Sequence, residues 1–334
     1  MKLLLVTQVV DSTDTYLGFF HRWIEELAPH FERIEVACLY EGVHSLPENV
    51  HVHSLGKEKG KGGPIVYAAR FLALAWRLRR DYDRVFIHMN EEYVLIGGLF
   101  WKALGKPVYL WRNHYAGSWR TQMAAALSTK VFHTSIHSYT ARFRNAVRMP
   151  VGVDTALYNA PRTAPKSSVL FFGRFSRSKR PDLFIDALRL LKERGVAFIA
   201  SVYGSAVPEE ASYREVVEQS ASGLNVEFYE GIPHEQTPEV FARHELYVNL
   251  GASGMLDKTL FEAAISGTKV LARSDDWRAL MGDAWHIADD SPETLADAIE
   301  GALKAAVPET LQEVAQDNSL DSLMVKLVRE TAVQ

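Results

Sequence analysis

Short runs of β-branched and other apolar residues alternate along this chain with longer stretches of helical periodicity. In the first half the apolar pattern predicts strands over Lys2–Val6, Ile34–Leu39, Arg84–His88, Val108–Trp111 and Val131–Thr134. In the second half it predicts them over Ser168–Phe172, Phe198–Tyr203, Val226–Tyr229, Leu246–Asn249 and Lys269–Ala272. Apolar positions three and four apart predict helices over Phe20–His30, Ile65–Arg80, Arg180–Arg194, Tyr213–Ser220, Thr259–Ser266 and Pro292–Ala305. Strands separated by helices imply βαβ units, parallel sheets and right-handed crossovers.

The pattern restarts midway. Residues 160–167 (APRTAPKS) are rich in Pro and small polar residues and read as a linker. The expectation is two doubly wound α/β domains facing across a cleft, covering 1–160 and 161–319. A last helix, about 320–334, should pack back toward the first domain. Parallel sheets bind ligands beyond the carboxyl ends of their strands. A motif just after a strand therefore counts as a candidate, and one just before a strand does not.

Composition narrows the class. A chain of 334 residues with 47% hydrophobic and 23% charged residues is that of an ordinary globular protein. The single cysteine, Cys38, excludes an internal disulfide and fits a reducing compartment. There is no window of about twenty apolar residues to span a membrane, and the Leu3–Val6 run is too short for a secretory signal. A cytoplasmic location follows as the expectation. Residues 1–160 carry 19 Lys and Arg against 14 Asp and Glu, and the remainder carries 18 against 27. The net charge of the basic half is too weak to choose among nucleic acid, anionic lipid and a phosphorylated acceptor, and no nucleic acid is expected.

The chemistry concentrates in two runs. In FFGRFSRSKRPDLFIDAL (171–188) a strand ends, Gly173 allows a turn, and Arg174 and Lys179 follow before a helix that Pro181 opens. Two cations on such a loop suit a diphosphate, although surface charge alone would also explain them. In YVNLGASGMLDKTLFEAAISGTKVLA (247–272) a strand leads through Gly254 to a helix whose first amides, around Asp257, Lys258 and Thr259, can receive phosphate oxygens. Glu262 lies one turn in and could accept from sugar or ribose hydroxyls. It could equally be a dipole partner at the helix start.

Together these runs resemble glycosyltransferase family 4, enzymes of the GT-B fold. The segment MPVGVDTALY (149–158) is similar to that family's crossover between domains. The resemblance extends over roughly residues 130–305. It implies that Arg174 and Lys179 bind the diphosphate of a sugar donor and Glu262 the ribose. It also implies retention of anomeric configuration, and no metal or other cofactor. Where the family carries Glu-x7-Glu, the first position here is Gly254, so Asp257 and Lys258 become candidates for the sugar end.

The first half is matched more loosely. Only Gly18 stands in the loop after the first strand, where the family often has a Gly-Gly pair. His114, in LWRNHYAGSW, takes the place of a histidine that contacts the donor sugar in the family. His88 also follows a strand but reads as structural. Asp81-Tyr82-Asp83 mimics a metal-binding DxD yet precedes its strand, and reads as a turn. The basic 57–80 region joins Lys57, Lys59 and Lys61 to an apolar helix bearing Arg70, Arg77, Arg79 and Arg80. It could rest on anionic lipid at the inner face of a membrane. A core helix with a basic outer edge is the simpler expectation, since helices on a parallel sheet bury an apolar face.

The resemblance thus implies a hexosyltransferase-type enzyme using a nucleoside-diphosphate sugar, UDP ahead of GDP. Its acceptor would be a glycan, such as a cell-envelope glycan, a lipid-linked sugar or a small molecule, and the sequence does not say which. Two rivals use the same scaffold: a protein that binds the donor or a partner without transferring, and a nucleotide-sugar epimerase. The lack of a GxGxxG after any strand argues against a dehydrogenase, and a P-loop is absent.

Overall fold

The computed structural model describes residues 1–14, 17–60 and 62–332; Lys61 and the last two residues of the expected C-terminal helix lie outside them. The chain forms two compact units, Met1–Met149 with Leu323–Gln334, and Pro150–Ser322.

In the first unit the elements run β1 (Lys2–Val10), α1 (Phe19–Leu27), β2 (Arg33–Glu41), β3 (Val50–Ser54), α2 (Pro64–Arg77), β4 (Arg84–His88), α3 (Glu91–Ala103), β5 (Val108–Trp111), α4 (Trp119–Leu127), β6 (Lys130–His133) and β7 (Ala146–Arg148). The strands form one parallel sheet in the order β3-β2-β1-β4-β5-β6-β7. Strand β1 outlasts its apolar run. Thr7, Val9 and Val10 go on pairing with Cys38, Tyr40 and Glu41 of β2. Helices α3 and α4 lie close together because Gly98 stands against the side chain of Leu127, with an added Cβ only 3.1 Å from the leucine's own.

The second unit runs β8 (Ser168–Phe172), α5 (Pro181–Glu193), β9 (Ile199–Tyr203), α6 (Ala211–Ser220), β10 (Val226–Tyr229), α7 (Thr237–Ala242), β11 (Leu246–Asn249), α8 (Lys258–Ile265), β12 (Lys269–Ala272), α9 (Asp275–Met281), α10 (Pro292–Lys304) and α11 (Leu311–Asp317). Its five parallel strands are ordered β10-β9-β8-β11-β12. Central strands β8 and β11 are apolar and buried along nearly their whole length, as strands covered by helices on both faces must be. Helix α5 supplies part of that cover through Leu183, Phe184, Ala187, Leu188 and Leu191.

The units divide at Met149/Pro150, ahead of the Pro-rich segment 160–167. The reason is burial: Val151, Val153 and Tyr158 already belong to the second core. Helix α12 (Leu320–Ala332) carries the chain back into the first unit. There the side chain of Arg84 and the Tyr109 hydroxyl (3.1 Å) both donate to the Thr331 carbonyl, and Lys130 pairs with Glu330 at 3.0 Å.

Both sheets reverse their winding beside their first strand, at β1/β4 and at β8/β11. Such switch points open crevices at the carboxyl ends of the strands.

Candidate functional site

The site is best built from the β8/β11 switch point. Strand β8 delivers Gly173 and Arg174; the loop then runs through Lys179 to α5. Phe175 is buried and its amide donates to the Ser205 carbonyl at 3.1 Å, which ties this loop to the one after β9. The two loops pass so close that a Cβ on Gly204 would lie 2.0 Å from the Gly173 carbonyl oxygen. Only glycine fits there. Arg174 is exposed and Lys179 half-buried.

Strand β11 supplies the polar frame between the two loops. The Tyr247 hydroxyl is fully buried; it donates to the Phe172 carbonyl at the end of β8 (3.0 Å) and lies 2.9 Å from the Thr259 hydroxyl in the first turn of α8. Asn249 donates to Tyr247 (2.8 Å) and to the Asp257 carboxylate (3.1 Å), and its carbonyl accepts from the Gly251 amide (2.9 Å). Lys179 closes the network with an ion pair to the same Asp257 oxygen. Burial pushes the Asp257 carboxyl up, but the Lys179 charge, hydrogen bonds from Lys179 and Asn249, and the Arg174 charge outweigh it. The net direction is below the ordinary carboxylate value. A Cβ on Gly251 would press on Asp257, Asn249 and Lys179 at 2.8, 2.9 and 3.4 Å, so this glycine leaves room for the pair.

The loop reaches α8 through Leu256, a buried residue in the left-handed region (φ 43°). Such a conformation persists where surrounding packing imposes it. Asp257 occupies the N-cap position but does not cap the helix with its side chain, since that carboxylate is committed to Lys179. Gly254 sits earlier in the loop with φ 92°, and its amide donates to Asp276 of α9 at 2.9 Å.

Helix α8 then carries Lys258 and Glu262 one turn apart. Lys258 donates to the Gly152 carbonyl at 2.6 Å, so the crossover segment forms part of this site. Burial draws its ammonium down to about 7, against the opposing pull of Glu262 and Asp154. Glu262 is buried and accepts from His234 Nε2 at 3.1 Å. The same nitrogen lies 3.2 Å from the Tyr158 hydroxyl, which contacts Thr237 at 2.9 Å. Burial, and then the Glu262 charge, hold the Tyr158 phenol well above its usual value.

Arg174, Lys179, Gly254, Asp257, Lys258, Thr259 and Glu262 therefore all lie on the loops and helix that leave β8 and β11. His234 and Tyr158 join Glu262 without having been singled out in the sequence, and so do Tyr247 and Asn249 behind Lys179. Their signals were weak: a histidine in the loop after β10, and polar residues in an otherwise apolar strand. The other candidates sit in the first unit. His114 Nδ1 accepts from the Ala116 amide at 2.9 Å and its ring stacks on Tyr115. Gly18 starts α1, with its amide donating to Asp14 at 3.0 Å. His88 is buried and stacked on Phe20, and Asp81–Asp83 form the turn into β4, with Asp83 accepting from the Lys2 amide.

Two parallel doubly wound α/β units in one chain, the last helix returning to the first, are the GT-B fold. Within that class, residues 166–305 match the family model described as glycosyl transferases group 1. Solved structures agree over the whole length. Anabaena HepE, solved with UDP and glucose, superposes with a TM-score of 0.77 at 17% identity, covering 100% of both chains. Sucrose-phosphate synthase from Thermosynechococcus elongatus gives 0.78 at 15%, covering 99% of this chain and 98% of its own. WaaG, a glycosyltransferase involved in lipopolysaccharide biosynthesis, gives 0.71 at 16%, covering 99% and 100%. No curated protein matches the chain in sequence.

Proposed function

We propose that this chain is a glycosyltransferase that takes a hexose from a nucleoside-diphosphate sugar, UDP ahead of GDP. The observation that carries the reading is the gathering of Arg174, Lys179, Lys258 and Glu262 at the β8/β11 switch point. HepE structures holding UDP and UDP-glucose support UDP as the first donor base to test. In this reading Arg174 and Lys179, with the first amides of α8 around Lys258, stabilise the charge that grows on the departing diphosphate. Asp257 and Asn249 hold Lys179 in position. Glu262 accepts from the ribose hydroxyls, and fixed cations do the work that a divalent metal does elsewhere, with retention of configuration. Gly18 and His114 are proposed donor contacts on the family resemblance alone, and the acceptor would be a glycan, a lipid-linked sugar or a small molecule.

The test is a thermal-shift and product-release series with UDP, GDP and their glucose conjugates, with and without EDTA. A donor at one hundred times its dissociation constant should add about 2.7 kcal/mol of stability. Arg174→Ala and Glu262→Ala should abolish UDP release, and NMR of the product would read the anomer. If no nucleotide stabilises the protein, the reading fails. Gly254, standing where the resembling family has a glutamate, favours a second reading in which the donor binds without transfer. UDP binding with no release of UDP from any donor would select it.

A further inference from the structure

Helix α2 buries only one side. Phe71, Leu74, Ala75 and Leu78 enter the core, while Ile65 (85% exposed), Leu72 (41%) and Trp76 (57%) remain in solvent along the opposite stripe. Helix α3 continues the surface: Trp76 packs against Phe100 at 5.8 Å, and Leu99 beside it is 70% exposed. A helix that merely covers a sheet needs one apolar face, and this one has two. Large exposed apolar patches mark interaction sites.

Cations dominate this surface, with Glu58, between Lys57 and Lys59, held by the Ser54 hydroxyl. From Pro64 to Arg80 there is no carboxylate; Arg70 and Arg77 interleave with the exposed apolar residues on α2, and Arg80 lies exposed in the turn just after it. Arg79 lies over the Trp76 ring at 4.3 Å. Lys57 and Lys59 stand exposed in the turn before the helix, and Lys102 on α3. Apolar side chains ringed by long cationic ones, which can keep their charges at the headgroups while their stems lie deeper, match a bilayer interface. We propose that the outer face of α2 and the end of α3 dock this protein on an anionic lipid surface. A second copy of the chain is the poorer partner, because a self-pairing face would set these cations against each other.

The experiment uses the full chain and vesicles of phosphatidylcholine with or without phosphatidylglycerol. Co-sedimentation is expected with the anionic vesicles and not with phosphatidylcholine alone, weakening as salt rises. Arg77→Glu with Arg80→Glu, and separately Ile65→Glu with Trp76→Glu, should each weaken vesicle affinity by roughly tenfold or more, with unfolding midpoints unchanged. The proposal is overturned if wild type ignores anionic vesicles, or if both variants bind like wild type. It is also overturned if light scattering finds a dimer that Trp76→Glu dissolves while vesicles stay unbound. Nucleotide binding is measured in parallel, so that failure of the donor reading would show separately.

Discussion

At the scale of single residues, the second unit sets two groups against their surroundings in ways that can be measured. Lys258 titrates near 7, far below an ordinary lysine, because burial costs its charged form more than Glu262 and Asp154 return. Between about pH 7 and 10 the unfolded chain keeps a proton on this lysine that the native chain has lost. Native stability must therefore rise with pH across that window, with the full penalty present below it. Chemical denaturation should show wild type gaining on Lys258→Met there, by at most about 1.4 kcal/mol per pH unit. Parallel pH curves for the two proteins would remove the argument. His234 makes the second case. Its ring holds Glu262 at 3.1 Å while itself resting on Tyr158, which makes it a positioning residue for the proposed ribose contact. His234→Ala should then weaken UDP about tenfold, the cost of one hydrogen bond to a charged group. It should leave 2′,3′-dideoxy-UDP nearly unaffected. An equal loss for both nucleotides would mean only that the mutation loosens the fold.

At the scale of elements, the site depends on two close approaches. Alanine at Gly204 would drive its Cβ into the backbone of the loop bearing Arg174. Alanine at Gly251 would meet only side-chain ends, those of the Lys179–Asp257 pair and Asn249. Gly204→Ala should thus cost about 3 kcal/mol or more, and Gly251→Ala about 1–3 kcal/mol, the usual range for overpacking. Because Gly251→Ala displaces the lysine, it should lose more nucleotide affinity than its melting temperature alone suggests. Calorimetry on both variants checks the ordering. These loops explain what could be read from the sequence. Strands β8, β9 and β11 and helix α5 were legible because buried parallel strands are apolar runs and α5 has one apolar stripe. Helix α3 was not, since Tyr93, Val94, Gly97, Gly98 and Trp101 are buried on one side while Leu99 is exposed on another, which blurs the period. Strand β3 is a short edge strand alternating Val and His, and β7 has three residues. Arg174, Lys179 and Glu262 were visible as charges at strand and helix ends. Their supports, Tyr247, Asn249 and His234, were not, because each acts through a neighbour distant in sequence.

At the scale of the whole chain, the covalent path ties the stability of the first unit to the last dozen residues. Leu323, Met324 and Leu327 are buried there, and the Thr331 carbonyl satisfies both Arg84 of β4 and Tyr109 of β5. Lys130 of β6 meets Glu330. One terminal turn thus contacts three consecutive strands of a sheet built from residues far upstream. Removing residues 320–334 would take three large buried apolar side chains, Leu323, Met324 and Leu327, out of the first unit, each worth about 1.5–3 kcal/mol when buried. It would also strip Arg84 of an acceptor, whereas the second unit would lose the buried Leu320 side chain and its amide bond to Val153. The truncated chain should therefore unfold in two steps, the first unit melting well below the second, whereas the intact protein keeps them closer. Limited proteolysis would locate the weakness: early cuts should fall within residues 1–149 and leave a resistant fragment containing 168–305. That fragment should still bind UDP, if more weakly, because Arg174, Lys179, Lys258 and Glu262 with their supports all lie in the second unit. Cleavage spread evenly over both units would mean that α12 stabilises the molecule as a whole and not the sheet on which it lies.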